Sequence, residues 1–139
     1  MLIRALWAAV TVLFGQPLSL TSTPAAPVRT LYSWVASWYG PGFEGRPMAS
    51  CLTFWGSLPV VAHKTLPLGT VLRVWHGDAS ARVIVLDRGP YISGRDLDLA
   101  ESVAARLGLL RDGVAPVIVE VVGHEPRHRW PDALAALQI

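Results

Sequence analysis

The sequence predicts a small, mainly β domain, either a barrel or a sandwich, because short β-rich segments alternate with glycine and proline turns along most of the chain. Five such segments are rich in valine, isoleucine and aromatic residues: 31–39, 60–62, 70–75, 81–86 and 116–122. A length of 139 residues suits one domain with a single hydrophobic core. Cys51 is the only cysteine, which excludes an intramolecular disulfide, so the core alone must hold the fold.

Residues 1–26 predict a secretory signal or an N-terminal anchor. Arg4 precedes an apolar run over residues 5–14, and small residues follow at 21–26. The apolar run is too short to span a bilayer, so we expect no stable membrane span after processing. No cysteine lies near its end, so there is no lipobox. We therefore expect an exported protein of the periplasm, cell envelope or extracellular space, with a linker at residues 27–32.

Residues 33–123 are expected to form the barrel, with turns at sites such as Gly69, Gly77 and Gly113. One segment departs from the β pattern. Residues 98–108 place apolar side chains four apart and end at Gly108, which predicts a short amphipathic helix with Asp98 as a structural carboxylate near its start. Residues 124–139 are polar and broken by proline, which predicts a mobile C-terminal tail with a helical turn near 132–137.

Charge and composition exclude several functions. The formal net charge of +2 and a pI near 9.1 suit an anionic polymer but fall short of a nucleic-acid footprint. Four histidines and one cysteine show no close-set ligand pattern, so we predict no metal and no cofactor. No Gly-x-Ser-x-Gly motif supports a serine nucleophile.

Two polar residues stand where strands end. Asp87 directly follows the apolar segment 83–86, and His63 lies between segment 60–62 and a proline and glycine turn. Each can face a cleft and act in catalysis. Equally, Asp87 can accept turn N–H groups or pair with Arg88, and His63 can bond to backbone carbonyls. Position alone leaves both interpretations open.

Five blocks of sequence, taken together, resemble the rare lipoprotein A family. They are Ala-Ser-Trp-Tyr-Gly at 36–40, Gly-Arg-Pro-Met-Ala-Ser at 45–50, Ala-His-Lys-Thr-Leu-Pro-Leu-Gly-Thr at 62–70, Asp-Arg-Gly-Pro-Tyr at 87–91 and Gly-Arg-Asp-Leu-Asp-Leu at 94–99. The resemblance implies a double-psi β-barrel of about six strands with one or two short helices. It also implies an endolytic lytic transglycosylase that cuts peptidoglycan strands, with a preference for strands lacking stem peptides, and leaves 1,6-anhydromuramyl ends. We predict a monomer acting on glycan strands.

The resemblance also implies an active-site set of Glu, His and Asp. His63 and Asp87 match two of these residues, but Leu52 occupies the position of the Glu, and Cys51 stands where glycine is usual. A lytic transglycosylase needs an acid and then a base at the glycosidic bond, and leucine is neither. Asp87 is therefore predicted to be the catalytic carboxylate, if burial raises its pKa. Glu44 is the second candidate.

Further residues are predicted to bind the substrate: Trp38 and Tyr39 by stacking on sugar rings, Lys64 and Arg88 by their charge. Trp38 and Tyr39 fit the core of a barrel equally well, so both interpretations of these two aromatics stay open. Because Leu52 replaces the expected Glu, a second hypothesis remains, an expansin-like barrel that binds wall glycan without cleaving it. A purely structural envelope protein is the third.

Overall fold

A computed structural model describes residues 24–137 of the chain. Residues 1–23 of the predicted signal or anchor lie outside the described residues. The elements are β1 Leu31–Trp38, β2 Val60–His63, β3 Thr70–His76, β4 Ala79–Asp87, β5 Leu97–Leu99, α1 Glu101–Arg106, β6 Val114–His124, a 3₁₀ turn Arg127–Arg129, and α2 Trp130–Ala136. In the part of the chain described, neither helix is long and apolar enough to cross a membrane.

The strands close into a barrel in the order β1-β5-β2-β4-β3-β6. The pairs β1/β5 and β2/β4 are parallel, and the other four pairs are antiparallel. This confirms the predicted mainly β barrel of about six strands. The order also sets β5 and β2 between β1 and β4, so residues far apart in sequence become neighbours at the ends of these four strands.

All five predicted strands are present, but the sixth, β5, was predicted to be the start of a helix. The segment 97–99 pairs with both β1 and β2, and the helix begins only at Glu101, after Ala100. Within β5, Leu97 and Leu99 are buried and Asp98 is half-buried, which is the alternation of a strand. The end of the helix is as predicted, since Gly108 follows the C-cap with a φ of 72°.

Aliphatic side chains fill the barrel, and burying each one contributes roughly 1.5 to 3 kcal/mol relative to leaving it in water. The largest fully buried side chains include Leu72, Ile84, Leu86, Leu97, Leu99 and Leu107. Two of them, Leu97 and Leu99, flank Asp98, so the core fixes the height and direction of that carboxylate. Val83, Ile84, Val85 and Leu86 do the same for Asp87 at the end of β4.

The C-terminal tail packs on the barrel, in contrast to the mobile extension that was predicted. The Glu125 N–H donates to the Gly69 carbonyl at 2.8 Å, and Trp130, only 6% exposed, donates from Nε1 to the Glu125 carbonyl at 2.9 Å. Gly69 has a φ of 97°, and a Cβ there would collide with the Glu125 oxygen. The predicted helical turn near 132–137 is part of α2, which runs Trp130–Ala136.

Candidate active site

Two aspartates, Asp87 and Asp98, are brought close together near the ends of three strands. Asp98 of β5 pairs in register with Ala62 of β2, and Ala62 pairs in turn with Asp87 of β4. Residues that are opposite each other on neighbouring strands point to the same side of the sheet. The two carboxylates therefore lie on one face, about two strand spacings apart, or about 9 to 10 Å at the main chain.

Both aspartates line one cleft, whose volume is about 380 Å³. Its lining includes both aspartates, and also Trp38, Tyr39, Phe43, Arg88, Tyr91 and Arg95. Tyr91 is 82% exposed, so its ring is available to stack on a sugar. Trp38 is half-buried and lines the same cleft, which fits the stacking role predicted for it. The cleft thus combines carboxylates with aromatic walls, the usual composition of a site for carbohydrate.

The Asp87 carboxylate is held by three hydrogen bonds. The Tyr39 hydroxyl donates to Oδ2 at 2.6 Å, while the backbone N–H groups of Ala49 and Arg88 donate to Oδ1 at 2.8 and 2.9 Å. Burial, followed by the hydrogen bond to Asp87, raises the pKa of Tyr39, so the phenol keeps its proton and stays a donor. These bonds fix the direction in which Asp87 presents its charge.

Tyr39 does not suit the stacking role predicted from the sequence. Its side chain is 7% exposed, and its ring packs on Phe54 with 4.4 Å between ring centroids. A buried ring in contact with another ring has no free face for a sugar. The role that the structure gives Tyr39 is to orient Asp87.

Asp98 lies in a strand and not at the start of a helix, so its predicted position was wrong. It was predicted to be a structural carboxylate at a helix start, but it lies in β5 and lines the cleft, with its Oδ1 accepting a hydrogen bond from the Ser37 hydroxyl at 3.3 Å. Burial raises the pKa of Asp98; the Ser37 hydrogen bond and Arg95 oppose this, and the charge of Asp87 adds to it. A carboxyl group with a raised pKa beside a second carboxylate is a common arrangement for acid–base catalysis.

We predict that Asp98→Asn raises the free energy of unfolding at about pH 7. The raised pKa means that the folded protein holds the Asp98 proton more tightly than the unfolded chain does, so ionisation opposes folding, and asparagine removes that opposition. The gain should vanish below about pH 4, grow as pH rises from there towards the raised pKa of the folded state, and level off above that pKa, each unit of pKa shift being worth about 1.4 kcal/mol. Urea unfolding across this range measures it, with the exposed Asp78→Asn as control. A variant less stable than the parent at pH 7 contradicts the prediction.

His63 lies apart from the aspartate pair. It follows Ala62, so its side chain leaves the opposite side of the sheet, where its ring lies 4.9 Å from that of Trp34. Nδ1 accepts the backbone N–H groups of Thr65 and Leu66 at 3.1 and 2.9 Å, so the neutral ring carries its proton on Nε2. Burial first, and then the charges of Arg88 and Lys64, lower the pKa of His63 against the opposing charge of Asp96. Among the described residues, no hydrogen bond joins His63 to Asp87.

Arg88 links the two regions. Its Nη1 donates to the carbonyl groups of His63 and Leu66 at 3.2 and 2.7 Å, so much of its donor capacity braces the turn after β2. Lys64 is exposed in that same turn. The substrate-binding roles assigned to Arg88 and Lys64 therefore stay predictions, and Arg88 has a structural role in addition.

The other carboxylate candidate, Glu44, points elsewhere. Its Oε1 accepts the backbone N–H of Gly56 at 2.8 Å, which braces the loop between β1 and β2, and it is not among the residues lining the cleft. Leu52 lines a different pocket, formed by its own loop and the C-terminal tail. Over residues 24–137, no group of three potential metal ligands lies close enough together to hold an ion.

Sequence reasoning missed Asp98, Tyr91 and Arg95 as lining residues. A signal for Asp98 was present, because a lone carboxylate between two leucines at alternating positions is typical of a half-buried strand. The competing four-residue spacing of Leu99, Val103 and Leu107 favoured the helix instead. Arg95 stands in the block at 94–99 that carries the resemblance, but no feature of the sequence assigned it a role of its own, and it reaches the cleft through the loop before β5.

The chain is similar in sequence to several bacterial proteins. The endolytic peptidoglycan transglycosylase RlpA of Campylobacter jejuni is 40% identical over 91 residues, which cover 64% of this chain and 33% of that protein. The probable endolytic peptidoglycan transglycosylase RlpA of Aquifex aeolicus is 46% identical over 89 residues, covering 63% of this chain and 39% of that protein. The match therefore spans well under half the length of these relatives.

Solved structures share the fold. The apo expansin of Clavibacter michiganensis superposes with a TM-score of 0.55 at 23% identity, covering 70% of this chain and 52% of that one. The Streptomyces papain inhibitor gives a TM-score of 0.53 at 21% identity, covering 68% of this chain and 96% of that one. At such identities the likeness shows the fold alone.

A family model confirms the resemblance inferred from the five sequence blocks. It is a model of a double-psi β-barrel, described as lytic transglycolase, and it matches residues 33–119. These residues run from β1 into β6 and include the cleft and both of its aspartates. The chain belongs to the lytic transglycolase family, and its barrel is a double-psi β-barrel.

Proposed function

We propose that this protein is a lytic transglycosylase that cleaves peptidoglycan glycan strands in the cell envelope. The observation that carries the proposal is the pair Asp87 and Asp98, set on either side of Ala62 in one cleft, with burial raising the pKa of Asp98. Family membership and the names of the RlpA relatives support the reaction class and the polymer.

In this proposal Asp98 carries the proton transfers. As a carboxylic acid it protonates the glycosidic oxygen, and the bond between that oxygen and the muramyl C1 breaks. The resulting carboxylate then takes the proton of the C6 hydroxyl while O6 bonds to C1, which closes the 1,6-anhydro ring. The acid is regenerated and no water is consumed, so the carboxylate spacings that distinguish retaining from inverting hydrolases do not apply.

Asp87 acts in this scheme as a fixed negative charge. The transition state of glycosidic cleavage has oxocarbenium character, and a carboxylate held rigidly beside it stabilises the developing positive charge. Tyr39 and the Ala49 and Arg88 N–H groups supply that rigidity. This reverses the role predicted from sequence, in which Asp87 was the acid. His63 is assigned a positioning role, through the turn that it holds with its Nδ1.

The test is to incubate the purified protein with peptide-free glycan strands and to search for 1,6-anhydromuramyl ends by mass spectrometry. We expect them to accumulate with the parent protein. Glycan binding without any anhydro product would overturn the proposal in favour of the non-catalytic, expansin-like barrel that Leu52 suggested. Reducing ends in place of anhydro ends would show a hydrolase and would overturn it as well.

A further inference from the structure

A pocket of about 240 Å³ lies on the outside of the barrel, where the hairpin of β3 and β4 meets α1 and the end of α2. Three of its lining residues are arginines, one each from β3, β4 and α1, and small or apolar residues complete it: Arg73, Arg82 and Arg106, with Ser80, Ala81, Ala136 and Leu137. We call it the arginine pocket. It shares no residue with the cleft that holds Asp87 and Asp98.

The strand register brings two of these arginines together. Arg73 of β3 and Arg82 of β4 are paired in the antiparallel ladder, and both are exposed while their neighbours Val74 and Val83 are buried. Residues paired in this way have Cβ atoms about 4.5 to 5.5 Å apart. Because arginine stays protonated in proteins, two positive charges stand directly opposite each other. Like charges so placed destabilise a sheet, and an anion between them would remove that cost.

The third arginine, Arg106 in the last turn of α1, is directed to the same place by a hydrogen bond. Its Nε donates to the Ser80 carbonyl at 2.8 Å, and Ser80 lies two residues before Arg82 on the same strand. This bond uses Nε alone, so the two Nη groups remain as donors. The Arg73 guanidinium is also positioned, since it lies 5.4 Å from the centre of the Trp75 ring. Side chains that are held in place before a ligand arrives lower the entropic cost of binding it.

The positive charge of the arginine pocket is not neutralised by neighbouring carboxylates. Among residues 24–137, no acidic side chain lines the pocket, and the ion pairs found there involve none of its arginines. The residue in register with Arg73 on β6 is Glu120, but its carboxylate pairs instead with Arg29 at 3.7 Å. Three guanidinium groups therefore line one small space with their charges unbalanced.

We propose that the arginine pocket binds a phosphate group. A phosphate monoester carries about two negative charges at neutral pH and three terminal oxygens, so each guanidinium can contact its own oxygen. A carboxylate has one charge and two oxygens, which leaves one guanidinium unmatched. The volume is below the roughly 300 to 1,000 Å³ usual for drug-sized ligands, so the pocket suits the phosphate and the first atoms of the molecule that bears it. Since the pocket uses no residue of the cleft, phosphate binding does not depend on the proposed function.

The probes are inorganic phosphate and methyl phosphate, titrated into the purified protein at constant ionic strength so that general screening does not change. The amide NMR signals of Arg73 and Arg82 report the binding. We expect saturable binding by the parent, and roughly tenfold weaker binding both of acetate by the parent and of phosphate by Arg82→Gln, the effect of losing a charge-assisted hydrogen bond.

Arg111→Gln is the matched control, because it makes the same change of charge at an exposed residue that does not line the pocket. It should bind phosphate as the parent does. No saturable binding by the parent, acetate bound as tightly as phosphate, or equal losses in Arg82→Gln and Arg111→Gln would each overturn the inference.

Stability gives a second readout. In low salt without phosphate, Arg82→Gln should unfold at a urea concentration equal to or above that of the parent, because the substitution removes the repulsion between Arg73 and Arg82. Phosphate should raise the urea midpoint of the parent and of Arg111→Gln, since a ligand of the folded state stabilises it, but not that of Arg82→Gln. Arg106→Gln removes donors from the helix side of the pocket and should lose the same response. An equal rise in all four proteins would show a general salt effect and refute the site.

A third measurement identifies the source of the phosphate. Vesicles of equal parts phosphatidylcholine and phosphatidic acid present the same group on a membrane surface, and sedimentation measures the protein that they carry down. Vesicle binding that Arg82→Gln weakens more than Arg111→Gln does, and that inorganic phosphate displaces, assigns the site to a lipid headgroup. Binding of methyl phosphate without binding of the vesicles assigns it to a soluble phosphorylated molecule. Either pattern supports a phosphate site.

Discussion

Asp98→Asn is expected to reduce the rate of anhydromuramyl product formation about 100- to 10,000-fold, the range for loss of a general acid–base group. Asparagine keeps the size of the side chain and can still accept the hydrogen bond from Ser37, but it can neither give up a proton to the glycosidic oxygen nor take one from the C6 hydroxyl. Binding of intact glycan should change little. Initial rates by mass spectrometry and glycan affinity by titration together measure the two effects.

The same variant is expected to be more stable than the parent at neutral pH, so a loss of rate cannot be attributed to unfolding. Asp78→Asn, in the exposed turn between β3 and β4, is the activity control and should retain the parent rate. Asp87→Asn should also be strongly impaired, through loss of the charge opposite the reacting carbon. Full activity of Asp98→Asn combined with an inactive Asp87→Asn would return the role of the acid to Asp87.

The pH profile separates the roles further. If Asp98 must begin as an acid, the rate falls as pH rises through its pKa, which burial has raised. Activity should accordingly be lost on the alkaline side of that pKa. A rate that instead keeps rising with pH would contradict an acid role for Asp98.

The barrel was predictable from sequence because most of its strands are long and rich in β-branched residues. The composition of segments such as 81–86 and 116–122 predicts strands, and Gly69 and Gly113 indicate the turns. The strand β5 was not predictable in the same way, because three residues give little periodic signal and the following helix begins two residues later. Its strand conformation comes from pairing with β1 on one side and β2 on the other, and these long-range contacts are not visible in the local sequence.

Of the two aspartates in the candidate site, only Asp87 was predictable from the sequence. Asp87 ends a long strand that the sequence shows clearly, but Asp98 depends on β5, and its meeting with Asp87 depends on the strand order that places Ala62 between them. The proposed pair His63 and Asp87 matched adjacent motif blocks, yet His63 and Ala62 are consecutive in a strand and their side chains leave opposite sides. Motif membership therefore did not imply membership of one cleft.

Trp130→Ala is expected to lower the free energy of unfolding by about 3 to 5 kcal/mol, the usual cost of removing a buried tryptophan from a packed site. The side chain is 6% exposed, and its Nε1 donates to the Glu125 carbonyl, so truncation leaves both a cavity and a carbonyl group without its donor. Single domains are stable by only about 5 to 15 kcal/mol, so this change is large. Urea unfolding at fixed pH gives the value directly.

Trp55→Ala is the matched control, because the same truncation is made at a side chain that is 49% exposed. Its cost should be smaller, about 1 kcal/mol or less. Equal, small costs for both variants would mean that the tail does not stabilise the barrel, as the polar, proline-broken sequence of residues 124–139 first indicated. A large cost confined to Trp130→Ala would instead show that the tail is an integral wall of the domain. We expect the second result, because the Glu125 N–H is hydrogen-bonded to the Gly69 carbonyl and the two backbones pack so closely that a Cβ at residue 69 would collide with the Glu125 oxygen.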